Sequence, residues 1–383
     1  MPRFKTVLAL LCLGAGLLAA ASAQAGAMKE YQTKYYVIYS DHDEATVKEA
    51  TARITAMAEE YYERTKDFSG KIHQRLPFYL YSNPDDYKAA GGIGAGYYTN
   101  DKLMACVPKG STYSWHIVQH EGFHQFVGQV MRGSMPVWVN EGLAEYFAEG
   151  IWTGDAFVTG AATSWRLERV RGMIAKGELR PFDQMFALTS EQWRANLDMR
   201  NYDQAWAMVH FLVNADDHKY RKAFSDFLKD CSKGKGPLAL FQQRFGADLK
   251  PFEDRFKAWW ASPASEPSPD LYATAVVQIY TSFLARVTAA KQAFKTWDEF
   301  FASAKAATLQ SPPDAWLPTS LLSTAVNSRT GQGGTWALDL SGRQPKVVFT
   351  RADGIEFAGQ YSPDGKGFKT RVDVKRPEPP KAK

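Results

Sequence analysis

An α+β fold is predicted by three features of the chain. Over residues 31–110 short aromatic and β-branched runs alternate with one long amphipathic stretch, from there to about residue 260 the pattern is mostly helical, and after residue 336 four short alternating runs follow one another. Hydrophobic residues make up 45% of the 383 and aromatic residues 14%, enough for one large core or two domains.

Taken in order, the chain opens with a targeting segment over residues 1–27. Arg3 and Lys5 precede an apolar core from Val7 to Ala20, and a small-residue cleavage site follows at Ala21-Ser22-Ala23 or Ala23-Gln24-Ala25. The core is shorter than the ~20 residues a span needs, no lipobox surrounds Cys12, and no later stretch is long and apolar enough to cross a membrane. The mature protein is expected to be soluble and exported, either periplasmic or secreted. Loss of Arg3 and Lys5 takes the formal charge from +5 to +3, too mild to argue for a nucleic-acid partner. Only Cys106 and Cys231 survive cleavage; they are far apart in sequence and are expected to stay unpaired.

Residues 31–110 read as a small α/β unit. Lys34 to Ser40 is a strand, Glu44 to Phe68 a long helix, and Pro77 to Tyr81 a second strand. The glycine-rich run from Gly91 to Gly96 leads into a hairpin of Tyr97-Tyr98 with Leu103 to Val107. A phosphate loop is excluded, because a strand follows these glycines and no Gly-Lys-Ser/Thr occurs.

The next helix carries the chemistry. From Tyr113 to Met131 there is no proline, and Ile117, Val118, Phe126, Val127 and Val130 suit a helix packed on one side. Within it His120-Glu121-Gly122-Phe123-His124 places two imidazoles four residues apart, on one face, where both can hold one tetrahedral ion. Glu121 beside them is suited to general-base work in metal-assisted hydrolysis. A catalytic zinc usually takes three protein ligands, and Glu141, seventeen residues after His124, is the expected third. Gly128, Gly133 and Pro136 mark the helix end and a turn, with Asn140 capping or flanking a second helix that runs to about Glu149. Glu145, one turn beyond Glu141, is placed to accept the other ring N–H of a ligand histidine. His116 continues the histidine stripe by a turn and reads as a flanking or core residue, since one ion cannot span all three. His42, His73 and His218 have charged or polar neighbours and read as solvated surface.

His120-Glu121-x-x-His124, followed by Pro136-Val137-Trp138-Val139-Asn140-Glu141-Gly142-Leu143-Ala144-Glu145-Tyr146-Phe147, resembles the gluzincin clan of metallopeptidases, the thermolysin- and aminopeptidase-like group. It is most similar to the clan's bacterial secreted "peptidase MA-like" members. The spacer before Glu141 is slightly shorter than in thermolysin or the aminopeptidases. The resemblance covers about residues 31–260 and implies zinc held by His120, His124 and Glu141, with Glu121 as catalytic base. It also implies a peptide or protein substrate in a cleft, its backbone paired with one strand of the hairpin. A zinc hydrolase of a non-peptide amide, and a catalytically silent binding protein of the cell envelope, are the alternatives.

Helical segments then run from about Ala162 to Ala175, Tyr202 to Ala215, Lys219 to Lys229 and Pro251 to Ala261. In the related enzymes a tyrosine or histidine from such a downstream helix stabilises the oxyanion; Tyr202 is the first choice here and His210 the second. Residues 262–270, rich in Ser and Pro, form a linker between the metal-bearing domain, 28–261, and a C-terminal region, 271–374. That region is expected to be helical over Leu271 to Ala293 and Thr296 to Ala307. Beyond these come strands Trp336 to Leu340, Lys346 to Arg351, Ile355 to Gln360 and Lys369 to Val374, in an antiparallel meander. The last nine residues, 375–383, have the composition of a disordered tail.

Overall fold

The computed structural model describes residues 28–99, 102–108, 113–131, 135–195, 198–231, 233, 236–262, 268–329, 333–365 and 367–378. The expected leader, most of the linker (263–267), Gly133 and the end of the tail (379–383) lie outside the described residues.

The N-terminal unit is a five-stranded sheet of β1 (Lys29–Gln32), β2 (Tyr36–Ser40), β3 (Leu76–Tyr81), β4 (Gly96–Thr99) and β5 (Lys102–Cys106), in the order β1-β2-β3-β5-β4. β2, β3 and β5 run parallel, and β1 and β4 pair antiparallel at the two edges. Alternation decides the faces. Tyr36, Ile38, Leu76, Phe78 and Leu80 are buried on one side, whereas Tyr39 and Tyr79 stack on the other with ring centroids 4.8 Å apart. Helix α1 (Glu44–Thr65) crosses between β2 and β3; it starts where Asp43 accepts a hydrogen bond from the Thr46 amide. The short α2 (Pro84–Ala89) precedes the glycine run. His42, read from sequence as surface, is buried beside β2, where the chain turns inward to enter α1.

After β5 come α3 (Tyr113–Val130) and α4 (Val137–Ala148), then a two-stranded ribbon of β6 (Ile151–Trp152) and β7 (Phe157–Val158). Two sequence expectations are corrected in this pair. Gly128 does not end its helix: it lies inside α3, where a β-carbon would come within 2.6 Å of the Tyr98 hydroxyl. Asn140 is not a cap, because α4 begins directly after Pro136, whose extended ψ of 139° turns the chain into the helix. Helices α5 (Ser164–Lys176), α6 (Phe182–Ala187), α7 (Ser190–Ala195), α8 (Met199–His218), α9 (Arg221–Cys231), α10 (Pro237–Phe245) and α11 (Lys250–Ala261) form the helical part. Packed against α4, α8 approaches so closely that a β-carbon on Gly142 would lie 2.5 Å from the Ala205 carbonyl oxygen.

The C-terminal region consists of α12 (Ser268–Ala289), α13 (Trp297–Lys305) and α14 (Thr319–Arg329). They are followed by a four-stranded antiparallel sheet of β8 (Gly334–Asp339), β9 (Lys346–Arg351), β10 (Glu356–Asp364) and β11 (Gly367–Lys375), in the order β11-β10-β9-β8. The expected linker is shorter than read, since α12 already begins at Ser268. That side chain is buried and accepts a hydrogen bond from the Ala162 amide at 2.6 Å. Cys106 and Cys231 are both buried free thiols.

Candidate metal centre

The apolar side chains of α3 fix its orientation: Val118, Phe123 and Phe126 are fully buried, and the rings of Phe123 and Phe126 pack around Tyr61 of α1. This leaves His120 and His124 facing α4. Helix α4 is anchored from the far side by Trp138, which packs among Phe186, Phe227 and Phe241. Glu141 is thereby directed toward the two histidines. A cavity of about 440 Å³ lined by Arg64, Leu143, Tyr146 and Phe224 lies on the opposite side of α4 and contains none of these residues.

Three ligand atoms meet. His120 Nε2 and His124 Nε2 are 3.1 Å apart, and each lies 3.4 Å from Glu141 Oε2. A four-coordinate ion with bonds of about 2.0–2.1 Å requires ligand atoms roughly 3.3–3.4 Å from one another, so the triangle fits such an ion. The three side chains keep 10%, 14% and 15% of their surface accessible, so they are not sealed from solvent. Among the described residues these three are the group of His, Cys and acidic side chains with metal-binding spacing.

The electrostatics favour positive charge at this point. Burial alone would lower the pKa of His120, but hydrogen bonds to Glu141 and Glu145 and the charges of Glu145 and Glu121 raise it to about 10. Burial would likewise push Glu141 up, yet the neighbouring His124 and His120 hold it at about 2. Glu145 is fully inside and also kept ionised, its burial outweighed by His116, His120 and Arg166. Its Oε1 stands 3.1 Å from His120 Nδ1 and its Oε2 3.7 Å from His116 Nε2. Glu145 thus stands against the ring nitrogen of His120 that faces away from the triangle, and His116 flanks it rather than joining the triangle.

Glu121 lies beside the triangle and accepts a hydrogen bond from the Tyr98 backbone N–H at 2.8 Å. The bond from Cys106 N to Ala95 O fixes the phase of the hairpin. Antiparallel alternation then turns the backbone groups of Gly96 and Tyr98 away from β5, toward the outer edge. The edge strand of the sheet thus borders the carboxylate next to the two histidines. Tyr202, in the first turn of α8, has its ring centroid 6.4 Å from that of His120. His210, two turns further on, is wholly buried, with Nε2 2.7 Å from the Gly160 carbonyl oxygen and its ring against Trp206, Trp259 and Trp260. It takes no place at the site.

Sequence reasoning missed the groups behind the triangle. Arg166 of α5 contacts Glu145, Glu149 and Asp203. A signal was present: Arg166, Val170 and Met173 share the buried face of α5, so a cation stands on the apolar stripe. Gln119 was missed as well; its amide nitrogen reaches the carbonyl oxygens of Phe147, Ala148 and Gly150 at the end of α4.

Residues 115–239 match a protein family described as "Protein of unknown function (DUF1570)". The matched segment holds the triangle, Glu121, Glu145, Arg166 and Tyr202, and leaves out the five-stranded and four-stranded sheets. No curated protein and no solved structure matches the chain.

Proposed function

We propose that the protein is an exported zinc metallopeptidase of gluzincin type, with His120, His124 and Glu141 as zinc ligands and Glu121 as general base. The observation that carries this reading is the triangle of three ligand atoms, with a carboxylate in the adjacent helical position. Structural zinc sites are closed by four protein ligands, whereas catalytic ones use three. Zinc bound there supplies a Lewis acid that lowers the pKa of a coordinated water toward about 7 and polarises an amide carbonyl.

The chain's own groups do the rest. Glu121, oriented by the Tyr98 amide, removes a proton from the attacking water and carries it to the departing amine nitrogen. Tyr202 donates its hydroxyl hydrogen to the oxygen that gains charge at the reacting carbon. An extended peptide aligns along the outer edge of β4, its backbone set by strand addition. The helical part forms the facing wall of the cleft. Export rests on the leader read in residues 1–27.

The test is hydrolysis of a mixed peptide library by the purified mature protein and by Glu121→Gln. The wild type is expected to cleave, and Glu121→Gln to retain metal while losing activity by about 10²–10⁴-fold. Equal cleavage by both proteins would remove Glu121 as the base.

A further inference from the structure

Behind the ligand triangle Arg166, Glu145, Glu149 and Asp203 meet where water hardly enters, with Arg169 reaching in from the surface. Arg166 is 1% exposed. Its Nη2 goes to Glu145 Oε2, its Nε to Glu149 Oε1 at 3.0 Å and its Nη1 to Asp203 Oδ1 at 3.4 Å. Arg169 closes on the second oxygen of Asp203 at 2.5 Å. The Arg166 guanidinium also lies 4.7 Å from the ring centroid of Trp165 and 5.2 Å from that of Trp206. One cation of α5 thus joins α4 to α8, and its partner Glu145 reaches α3 through His120.

Such clusters contribute little net stability, because apolar residues of similar volume commonly serve as well or better. The location of this one supplies a different reason. Arg166 fixes Oε2 of Glu145, and with that oxygen held, Oε1 is aimed at His120 Nδ1. A histidine that donates Nδ1–H to a fixed carboxylate presents Nε2 as the unprotonated ligand nitrogen. We propose that Arg166 is a positioning residue for the metal site, acting through Glu145 on the tautomer and aim of His120. The proposal rests on the zinc reading given above.

The experiment measures zinc affinity by competition with a chromophoric chelator, together with the visible absorption spectrum of the Co²⁺-loaded protein. The proteins compared are wild type, Arg166→Met, Arg166→Lys, Glu145→Gln and the double variant Arg166→Met/Glu145→Gln. Arg166→Met is expected to bind zinc about 10- to 100-fold more weakly and to shift the Co²⁺ bands, with its circular dichroism unchanged. Arg166→Lys, which keeps a cation but lacks the planar fork, should fall between the two. If Arg166 acts through Glu145, the double variant binds no more weakly than Glu145→Gln alone. Additive losses, or an unchanged affinity in Arg166→Met, overturn the proposal. Should Arg166→Met not fold, Arg166→Lys decides: wild-type affinity and spectrum there overturn it. A wild-type protein that binds no zinc overturns the zinc reading and this proposal together, whereas tight wild-type binding with unaffected variants overturns this proposal alone.

Discussion

Tyr202 and His210 lie on the same helix and serve different ends. Burial, then the charge of Glu141, pushes the Tyr202 hydroxyl up to about 12, so it remains a hydrogen-bond donor throughout the neutral range. Tyr202→Phe removes that donor and keeps the ring against Trp193. Its kcat on a cleaved peptide should fall by about 10²–10³-fold with KM little changed, and steady-state kinetics showing an unaltered kcat would remove Tyr202 from the reaction. His210 tells on stability instead. Burial lowers its pKa from 6.5 to about 4. Above pH 6.5 the ring is neutral in both folded and unfolded chains. Between pH 6.5 and 4 the unfolded chain takes up a proton that the folded core refuses, so stability falls as pH falls, by about 3 kcal/mol for this group. His210→Gln, which retains a donor for the Gly160 carbonyl, should show a flatter loss across that window in urea unfolding at stepped pH. Parallel curves for the two proteins would contradict the assignment.

At the scale of elements, the geometry of the site depends on how α3 holds α4. Gln119 donates from its side-chain amide to Phe147 and Ala148 O at 3.0 Å and to Gly150 O at 3.1 Å, satisfying carbonyls that a helix end leaves without partners. The Gln119 backbone carbonyl accepts from the Tyr61 hydroxyl, which ties this part of α3 to α1. Gln119→Ala leaves these carbonyls without that donor, and should lower unfolding free energy by about 1–3 kcal/mol; an unchanged urea midpoint would show that the clamp carries no weight. This contact also shows where sequence reading stops. His120, Glu121 and His124 were legible because their relation is set within one helical turn, and Glu141 because a second helix returns over the first. The clamp and the Arg166 cluster join helices distant in sequence, so only the tertiary fold brings them together. The short helices α2, α6, α7 and α10 hold too few residues to establish a period, and α14 was lost in the proline-broken stretch before it. By residue type Asn140 reads as capping or flanking the helix, whereas Pro136 sets the helix start through its backbone.

For the whole molecule, the C-terminal region is fastened to the part that holds α3 and α4 by a buried pair. Arg286 of α12 makes two 2.8 Å contacts to Asp155, in the loop between β6 and β7, and a further bond to the Ala315 carbonyl. Ser268 and Tyr272 reach Ala162 beside it. The meander was legible from alternation alone, and β9 has the predicted bounds, Lys346–Arg351. The attachment of the C-terminal region was not legible, because its contacts join residues distant in sequence, Arg286 and Asp155 being 131 apart. Both parts are therefore read as one structure, and the candidate metal-binding triangle within it draws its side chains from α3 and α4. The most direct test is the metal content of the purified mature protein, wild type beside His120→Ala and Glu141→Ala, with all three shown to be folded. The account predicts one zinc per chain in the wild type, none in His120→Ala and weakened binding in Glu141→Ala. A wild-type chain that takes up no zinc, or variants that hold it as tightly as the wild type, would contradict it.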